Sequence, residues 1–139
     1  MYLVDTNIWL ERLLDQERSA EAGQFLDRIP TDQLLMTDFT LHSIGVILDR
    51  LERREVLLQF VDDVFLEGGI GLVSVPPEAM HRVVAVTEQF GLDFDDAYQC
   101  VAAERADAMI VSFDGDFDRV GRKRQTPAEI LRERDATEQ

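Results

Sequence analysis

The chain has 139 residues, of which 45% are hydrophobic and 30% are charged, and its formal net charge is −14. This length suits a single domain with one core, and the composition disfavours a disordered or membrane-spanning protein, so we expect one domain over residues 1–139. The acidic balance also argues against binding of nucleic acid through a broad basic surface.

Short apolar runs of strand length recur along the chain, and helical patterns fill the intervals between them. The runs are Tyr2–Val4, Leu34–Met36, Ile70–Val75 and Ala108–Phe113. Helices are predicted over residues 39–53, over residues 54–66 as far as Gly68-Gly69, from Pro77 onwards, and over residues 97–103. Thr126-Pro127-Ala128-Glu129 has capping-box spacing and predicts a short final helix. This alternation predicts an α/β fold with a parallel sheet.

Two aspartates directly follow strand-like runs. Asp5 comes after Tyr2–Val4, and Asp114 comes after Ala108–Phe113. Each is therefore predicted at the carboxyl end of a strand, where ligands bind in open parallel sheets. If the two strands are neighbours, their carboxylates repel one another unless a cation lies between them. Hard oxygen ligands of this kind favour Mg²⁺ or Mn²⁺.

A third acidic group, Asp93-Phe94-Asp95-Asp96, precedes the predicted helix at 97–103. A helix N-terminus carries partial positive charge, which makes it a favourable place for a metal-bound carboxylate. Asp93 as N-cap with Asp96 three residues later also fits a capping box that has no catalytic role. Asp116, in the acidic turn after the last apolar run, is open to a similar explanation as a turn residue.

Four segments of the sequence resemble motifs of the PIN-domain family, in the family's order and with its spacing. They are Val4-Asp5-Thr6-Asn7-Ile8-Trp9, Asp95-Asp96-Ala97, Ile110–Phe117 and Thr126-Pro127-Ala128-Glu129-Ile130-Leu131, the last resembling the tail of VapC-type members. The resemblance implies a three-layer α/β/α fold with a five-stranded parallel sheet. It further implies Mg²⁺- or Mn²⁺-dependent endonucleolytic cleavage of RNA. For a short chain it implies the toxin half of a toxin–antitoxin pair, with a small antitoxin protein and a second copy of the chain as partners.

The resemblance also assigns roles to individual residues. The implied catalytic residues are Asp5, Asp96, Asp114 and Asp116. Of these, the first three would bind the metal ion, Asp114 either directly or through water, and the fourth would support them. Thr6 and Asn7 would orient water or a phosphate oxygen, although capping of the first helix is the simpler role. Ser112 would hold an aspartate side chain in place.

One position departs from the family pattern. PIN domains of this type usually carry a glutamate on the helix after the second strand, and Ser43 stands there in Thr40-Leu41-His42-Ser43-Ile44. A serine hydroxyl can hold a metal-bound water, but it supplies no negative charge. Asp38 could compensate if it reached the same cavity, although helix capping explains it more simply, and His42 is more typical of a helix surface. A catalytically weakened domain that binds RNA or protein is therefore the alternative.

Two further function classes fit the sequence poorly. A haloacid-dehalogenase-like phosphatase also begins with a strand that ends in Asp, but it needs a second acid at the position of Asn7. A nucleotide-binding loop at Gly69-Ile70-Gly71 lacks the third glycine, and it precedes a strand instead of following one.

The single cysteine, Cys100, cannot form an internal disulfide, and the first residues lack the pattern of a secretory signal. Both observations favour the cytoplasm. Six of the fourteen basic residues fall near the C-terminus, namely Arg119, Arg122, Lys123, Arg124, Arg132 and Arg134. They could serve as a local RNA contact on an acidic protein, although a solvated basic turn is the simpler interpretation.

Overall fold

Strands and helices alternate through residues 1–121 and 124–138, the part of the chain that the computed structural model describes. The strands are β1 (Tyr2–Val4), β2 (Leu34–Thr37), β3 (Gly71–Val73) and β4 (Met109–Val111). The helices are α1 (Thr6–Leu13), α2 (Ser19–Arg28), α3 (Asp38–Arg50), α4 (Arg54–Val61), α5 (Met80–Phe90), α6 (Phe94–Ala106) and α7 (Pro127–Glu138). A π-helical segment over Asp62–Glu67 continues α4.

The strands form one parallel sheet in the order β3-β2-β1-β4, which confirms the predicted α/β class. The first strand pairs with the last, Val4 opposite Val111, although more than one hundred residues separate them in the sequence. The carboxyl ends of β1 and β4 therefore lie side by side. The described residues contain four strands, where about five were expected. In the place of a fifth strand, Gln125 forms a single parallel bridge to Val111.

Both faces of the sheet are covered, which gives the three layers. Leu3 and Ile110 face the helices α5 and α6, and their chain neighbours Val4 and Val111 face the opposite layer, which includes α1, α2 and α7. Successive strand residues point to opposite faces, so strands buried on both sides are apolar throughout. This explains why the strands appear in the sequence as continuous apolar runs.

Several predicted boundaries differ from the structure. The third strand covers only Gly71–Val73, and Pro77 begins a short 3-10 turn that precedes α5. The predicted helix over 39–53 ends at Arg50, because Glu52 adopts a left-handed conformation with φ of 56°. Within the described ranges, no helix combines the length and the apolar character that a membrane span requires.

Candidate functional site

Asp5 leaves β1 and immediately becomes the N-cap of α1. Its Oδ1 accepts hydrogen bonds from the Thr6 backbone amide and from Gln99 Nε2, both at 2.9 Å, and its Oδ2 accepts one from Ser112 Oγ at 2.8 Å. Burial raises the pKa of Asp5, and these hydrogen bonds lower it in part. Asp5 is thus a buried carboxylate held in one orientation from three directions.

Gln99 links Asp5 to the helix that follows the second strand. Its side chain is 1% exposed, and its Nε2 donates both to Asp5 and to Thr40 Oγ1, the latter at 2.9 Å. Its Oε1 accepts a hydrogen bond from Thr37 Oγ1 at 2.6 Å. Thr40 Oγ1 lies 2.9 Å from Thr6 Oγ1, which closes the network. Gln99, Thr37 and Thr40 were not among the site residues predicted from the sequence, although a glutamine within the apolar stretch of α6 is a visible signal.

Ser112 holds the other side of the site together, directly after β4. Its hydroxyl donates to Asp5, and it accepts from Asn7 Nδ2 and from the backbone amide of Asp114, both at 3.0 Å. Asn7 Oδ1 in turn accepts from the backbone amide of Phe113 at 3.3 Å. Asn7 therefore ties α1 to the end of β4, and Asp5, not Thr6 or Asn7, caps the first helix.

Three carboxylates meet beside this network. Ligand atoms of Asp96, Asp114 and Asp116 all lie within 4.8 Å of one another. Asp93 caps α6, as one interpretation of the sequence predicted, and accepts from the Asp96 amide at 2.9 Å. Capping uses only the backbone of Asp96 and leaves its carboxylate to join the group. The pKa of Asp96 is raised to about 7, first by burial and then by the negative charges of Asp93 and Asp114. The charge of Asp5, which lies outside the three-carboxylate group, raises this pKa further.

This donor set suits a divalent cation. Three carboxylates whose oxygens lie this close repel one another, and after burial and Asp93 the charges of Asp114 and Asp116 also help to raise the pKa of Asp96. A cation between them would remove the repulsion. All the offered atoms are hard oxygens, which Mg²⁺ and Mn²⁺ prefer. The structure thus unites Asp96 and Asp114 with Asp116, and it places Asp5 next to them in a separate hydrogen-bonded position.

The remaining predicted residues lie around the site in different ways. Ser43 is partly buried on α3, one turn after Thr40 and on the same helix face. Thr37, not Asp38, caps α3. Asp38 is exposed and accepts a hydrogen bond from the Tyr98 hydroxyl at 2.8 Å, and His42 is exposed.

Burial raises the pKa of the Cys100 thiol to about 12, so this cysteine is unreactive.

Two of the clustered basic residues approach the acidic group. Arg119 pairs with Asp116 at 3.4 Å, and Arg124 Nη1 donates to the Ser112 carbonyl at 3.1 Å. Arg134 instead lies over the Tyr2 ring, 5.8 Å from its centroid. Arg122 and Lys123 lie outside the described residues.

Ser112→Ala should lower the free energy of unfolding by about 1–3 kcal/mol, because Asp5 Oδ2 and the Asp114 amide lose a partner in a buried place. Urea denaturation of the metal-free protein measures the effect. Ser74→Ala, at an exposed position, is the matched control and should change stability by less than about 0.5 kcal/mol. Equal stability of the two variants would contradict the role given to Ser112.

Comparison with solved structures shows the same fold in several bacterial proteins. A toxin–antitoxin complex from Klebsiella pneumoniae is 20% identical, with a TM-score of 0.72 over 91% of this chain and 98% of that chain. Mycobacterium tuberculosis VapC20, described as a toxin that cleaves the sarcin-ricin loop, is 17% identical, with a TM-score of 0.77 over 91% and 100%. FitAcB from Neisseria gonorrhoeae is 19% identical, with a TM-score of 0.73 over 92% and 99%.

No curated protein sequence matches the chain. The model of the PIN domain family does match, over residues 2–123, and this range contains Asp5, Asp96, Asp114 and Asp116. The chain therefore belongs to the PIN-domain family.

Proposed function

We propose that this protein is a metal-dependent endoribonuclease and the toxin component of a type II toxin–antitoxin pair. The observation that carries the proposal is the convergence of Asp96, Asp114 and Asp116, beside the buried Asp5, at the carboxyl edge of a PIN-type sheet. Open parallel sheets bind their ligands at this edge. The similarity to VapC20 and to the Klebsiella pneumoniae complex supports the biological role.

In this proposal the chain holds Mg²⁺ or Mn²⁺ through Asp96 and Asp114, with Asp116 as a further or supporting ligand. Asp5 Oδ2 accepts only the Ser112 hydroxyl among the described residues, so it keeps a lone pair to bind the ion or a water on it. When bound, the ion activates a water and stabilises charge on the phosphate. Thr6, Asn7 and Ser43 would orient water molecules or phosphate oxygens around the ion. Arg124 donates to the Ser112 carbonyl, close to Asp114, and would contact a phosphate there.

Cleavage of a single-stranded RNA of mixed sequence tests the activity. We expect cutting in Mg²⁺ or Mn²⁺, loss of cutting in excess EDTA, and recovery when Mn²⁺ is added back. Product ends inside the RNA would identify an endonuclease. Equal cleavage in excess EDTA would show that the mechanism is wrong.

The proposed partners follow from the same assignment. A small antitoxin protein would block the acidic site, and an inserted arginine is the side chain best suited to pair with several carboxylates. We also propose a homodimer and a cytoplasmic location. Copurification with the product of an adjacent small gene, and size-exclusion chromatography with light scattering, test the two assemblies.

One observation favours a second candidate function, a weakened PIN domain that binds RNA or protein without cutting. Ser43 supplies no charge where the family pattern has a glutamate, so the site has fewer acidic ligands than usual. A Mn²⁺ titration by calorimetry separates the two functions. A folded protein with no affinity for Mn²⁺ at millimolar concentration would be a binding module, and saturable binding below that concentration supports the nuclease.

A further inference from the structure

A shallow pocket lined by aromatic side chains lies where the first turns of α3 and α6 meet. It has a volume of about 490 Å³ and is lined by Asp38, Phe39, His42, Phe94, Asp95 and Tyr98. This volume falls within the range of small-ligand sites, about 300–1,000 Å³. None of its aromatic residues takes part in the network around Asp5.

The three rings form a row with Tyr98 in the middle. The ring centroids of Phe39 and Phe94 each lie 6.4 Å from that of Tyr98. The Tyr98 hydroxyl is fixed from two sides, because it accepts from the Val75 amide at 3.0 Å and donates to Asp38 at 2.8 Å. The central ring is therefore held in place before any ligand arrives, which lowers the entropic cost of binding.

Phe94 is the exposed end of the row. Phe94 is a large apolar residue at the first position of α6, yet 50% of its surface is exposed to solvent. It lies two residues before Asp96, and Asp95, which lines the pocket, lies between them. Phe94 and Asp96 thus lie in the same first turn of α6, on different sides of it, so the pocket and the three-carboxylate group lie at the same end of one helix.

The charge of the pocket restricts what it can bind. Asp38 and Asp95 are both acidic and would repel a phosphate, whereas a nucleobase is neutral and has a π-face that stacks on aromatic rings. A strand whose phosphate lies at the carboxylate group would bring a neighbouring base to this turn. We propose that the pocket of Phe39, Phe94 and Tyr98 stacks an unpaired base of the RNA next to the cleaved phosphate, an inference that rests on the proposed nuclease function.

The polar rim further narrows the class of base. Carboxylates accept hydrogen bonds and cannot donate them when ionised, so Asp38 and Asp95 match bases with an exocyclic amino group. Cytosine, adenine and guanine carry such a group. Uracil offers only its N3–H, which lies between two carbonyl oxygens that a carboxylate repels. The pocket therefore selects an amino-bearing base over uracil at one position near the cut.

The test compares Phe94→Ala, Phe94→Trp and Leu66→Ala, the last removing another exposed apolar side chain away from the pocket. Loss of one stacked base should lower kcat/KM for a single-stranded RNA roughly 5- to 150-fold in Phe94→Ala. Phe94→Trp should keep at least half of the wild-type value, as should Leu66→Ala. Cleavage sites mapped on a mixed-sequence RNA should show a depletion of uracil at one fixed position in wild type and a weaker depletion in Phe94→Ala.

A kcat/KM of Phe94→Ala less than about fivefold below wild type would overturn the inference, and so would a Phe94→Trp variant as impaired as Phe94→Ala. Binding of the same RNA, measured by anisotropy with Asp114→Asn present in every variant, separates this failure from failure of the proposed function. If the wild-type protein does not cut RNA but Phe94→Ala still weakens binding at least fivefold, the nuclease proposal fails and base stacking stands. If RNA is cut and neither kcat/KM nor binding depends on Phe94, the stacking inference fails and the nuclease stands.

Discussion

Asp96→Asn is expected to lower RNA cleavage by more than about 100-fold, because residues that merely orient a metal ligand already cost 10- to 100-fold when they are removed. The amide keeps the size of the side chain, but it removes one charge and one anionic oxygen from the group with Asp114 and Asp116. Initial rates of RNA cleavage in Mn²⁺ measure the loss, and calorimetric titration should show weaker Mn²⁺ binding by a folded protein.

Asp62→Asn is the matched control, since it removes the same charge at an exposed position after α4. We expect its cleavage rate to stay within twofold of wild type. An Asp96→Asn variant that cuts RNA at the wild-type rate would remove Asp96 from the site.

The same substitution should stabilise the metal-free protein. The pKa of Asp96 rises from 3.8 to about 7 in the folded state, so folding favours the protonated carboxyl. The free energy of unfolding therefore falls as pH rises between these two values, and the full cost is present above them. Asparagine is neutral throughout, so Asp96→Asn should raise Tm by a few degrees near pH 8 and by almost nothing near pH 3, as thermal melts would show. A lower Tm near pH 8 would contradict a cost of ionising Asp96 in the folded protein, a cost that arises from burial first and from the neighbouring carboxylates second.

Gln99→Leu is expected to lower the free energy of unfolding by about 2–4 kcal/mol, because several buried polar groups lose their partner at once. Asp5 loses a donor, and the Thr37 hydroxyl loses its acceptor. Gln99→Glu keeps the shape but places a second carboxylate beside Asp5, so its destabilisation should be larger at pH 7 than at pH 5. Urea denaturation at both pH values gives the comparison.

Gln89→Glu, at an exposed position of α5, introduces the same charge without the buried contact. Its unfolding free energy should stay within about 0.5 kcal/mol of wild type. If Gln99→Leu were as stable as this control, the network around Asp5 would have no stabilising role.

The parts of the site that follow from strand ends could be predicted from the sequence. Asp5 and Asp114 come directly after apolar runs, and the pairing of β1 with β4 brings those ends together. The proximity of the Asp96 and Asp116 carboxylates depends on how the N-terminus of α6 packs against the turn after β4, and no local sequence pattern specifies that packing. Gln99 escaped prediction for a similar reason, because its partners Asp5, Thr37 and Thr40 come from two distant segments.

For the fold as well, local sequence patterns predicted some features, and other features were not predicted. The alternation of apolar runs and helical patterns predicted the parallel sheet, yet α2 was not identified and the helix from residue 54 changes to a π-helical segment at Asp62. Strand length was overestimated at Ile70–Val75, where only Gly71–Val73 is paired. Buried apolar residues extend beyond the hydrogen-bonded ladder, so an apolar run marks the core more reliably than it marks the strand.

The pairing of the first strand with the last has a consequence for biosynthesis. Asp5 is synthesised more than one hundred residues before its neighbours Val111 and Ser112. Until β4 has been made, β1 lacks its partner on that side, and Asp5 lacks the segment that carries Ser112 and Asp114. A nascent chain of this protein therefore has no assembled acidic centre until the segment that carries Ser112 and Asp114 has been synthesised, because a contact between distant segments cannot form before both exist.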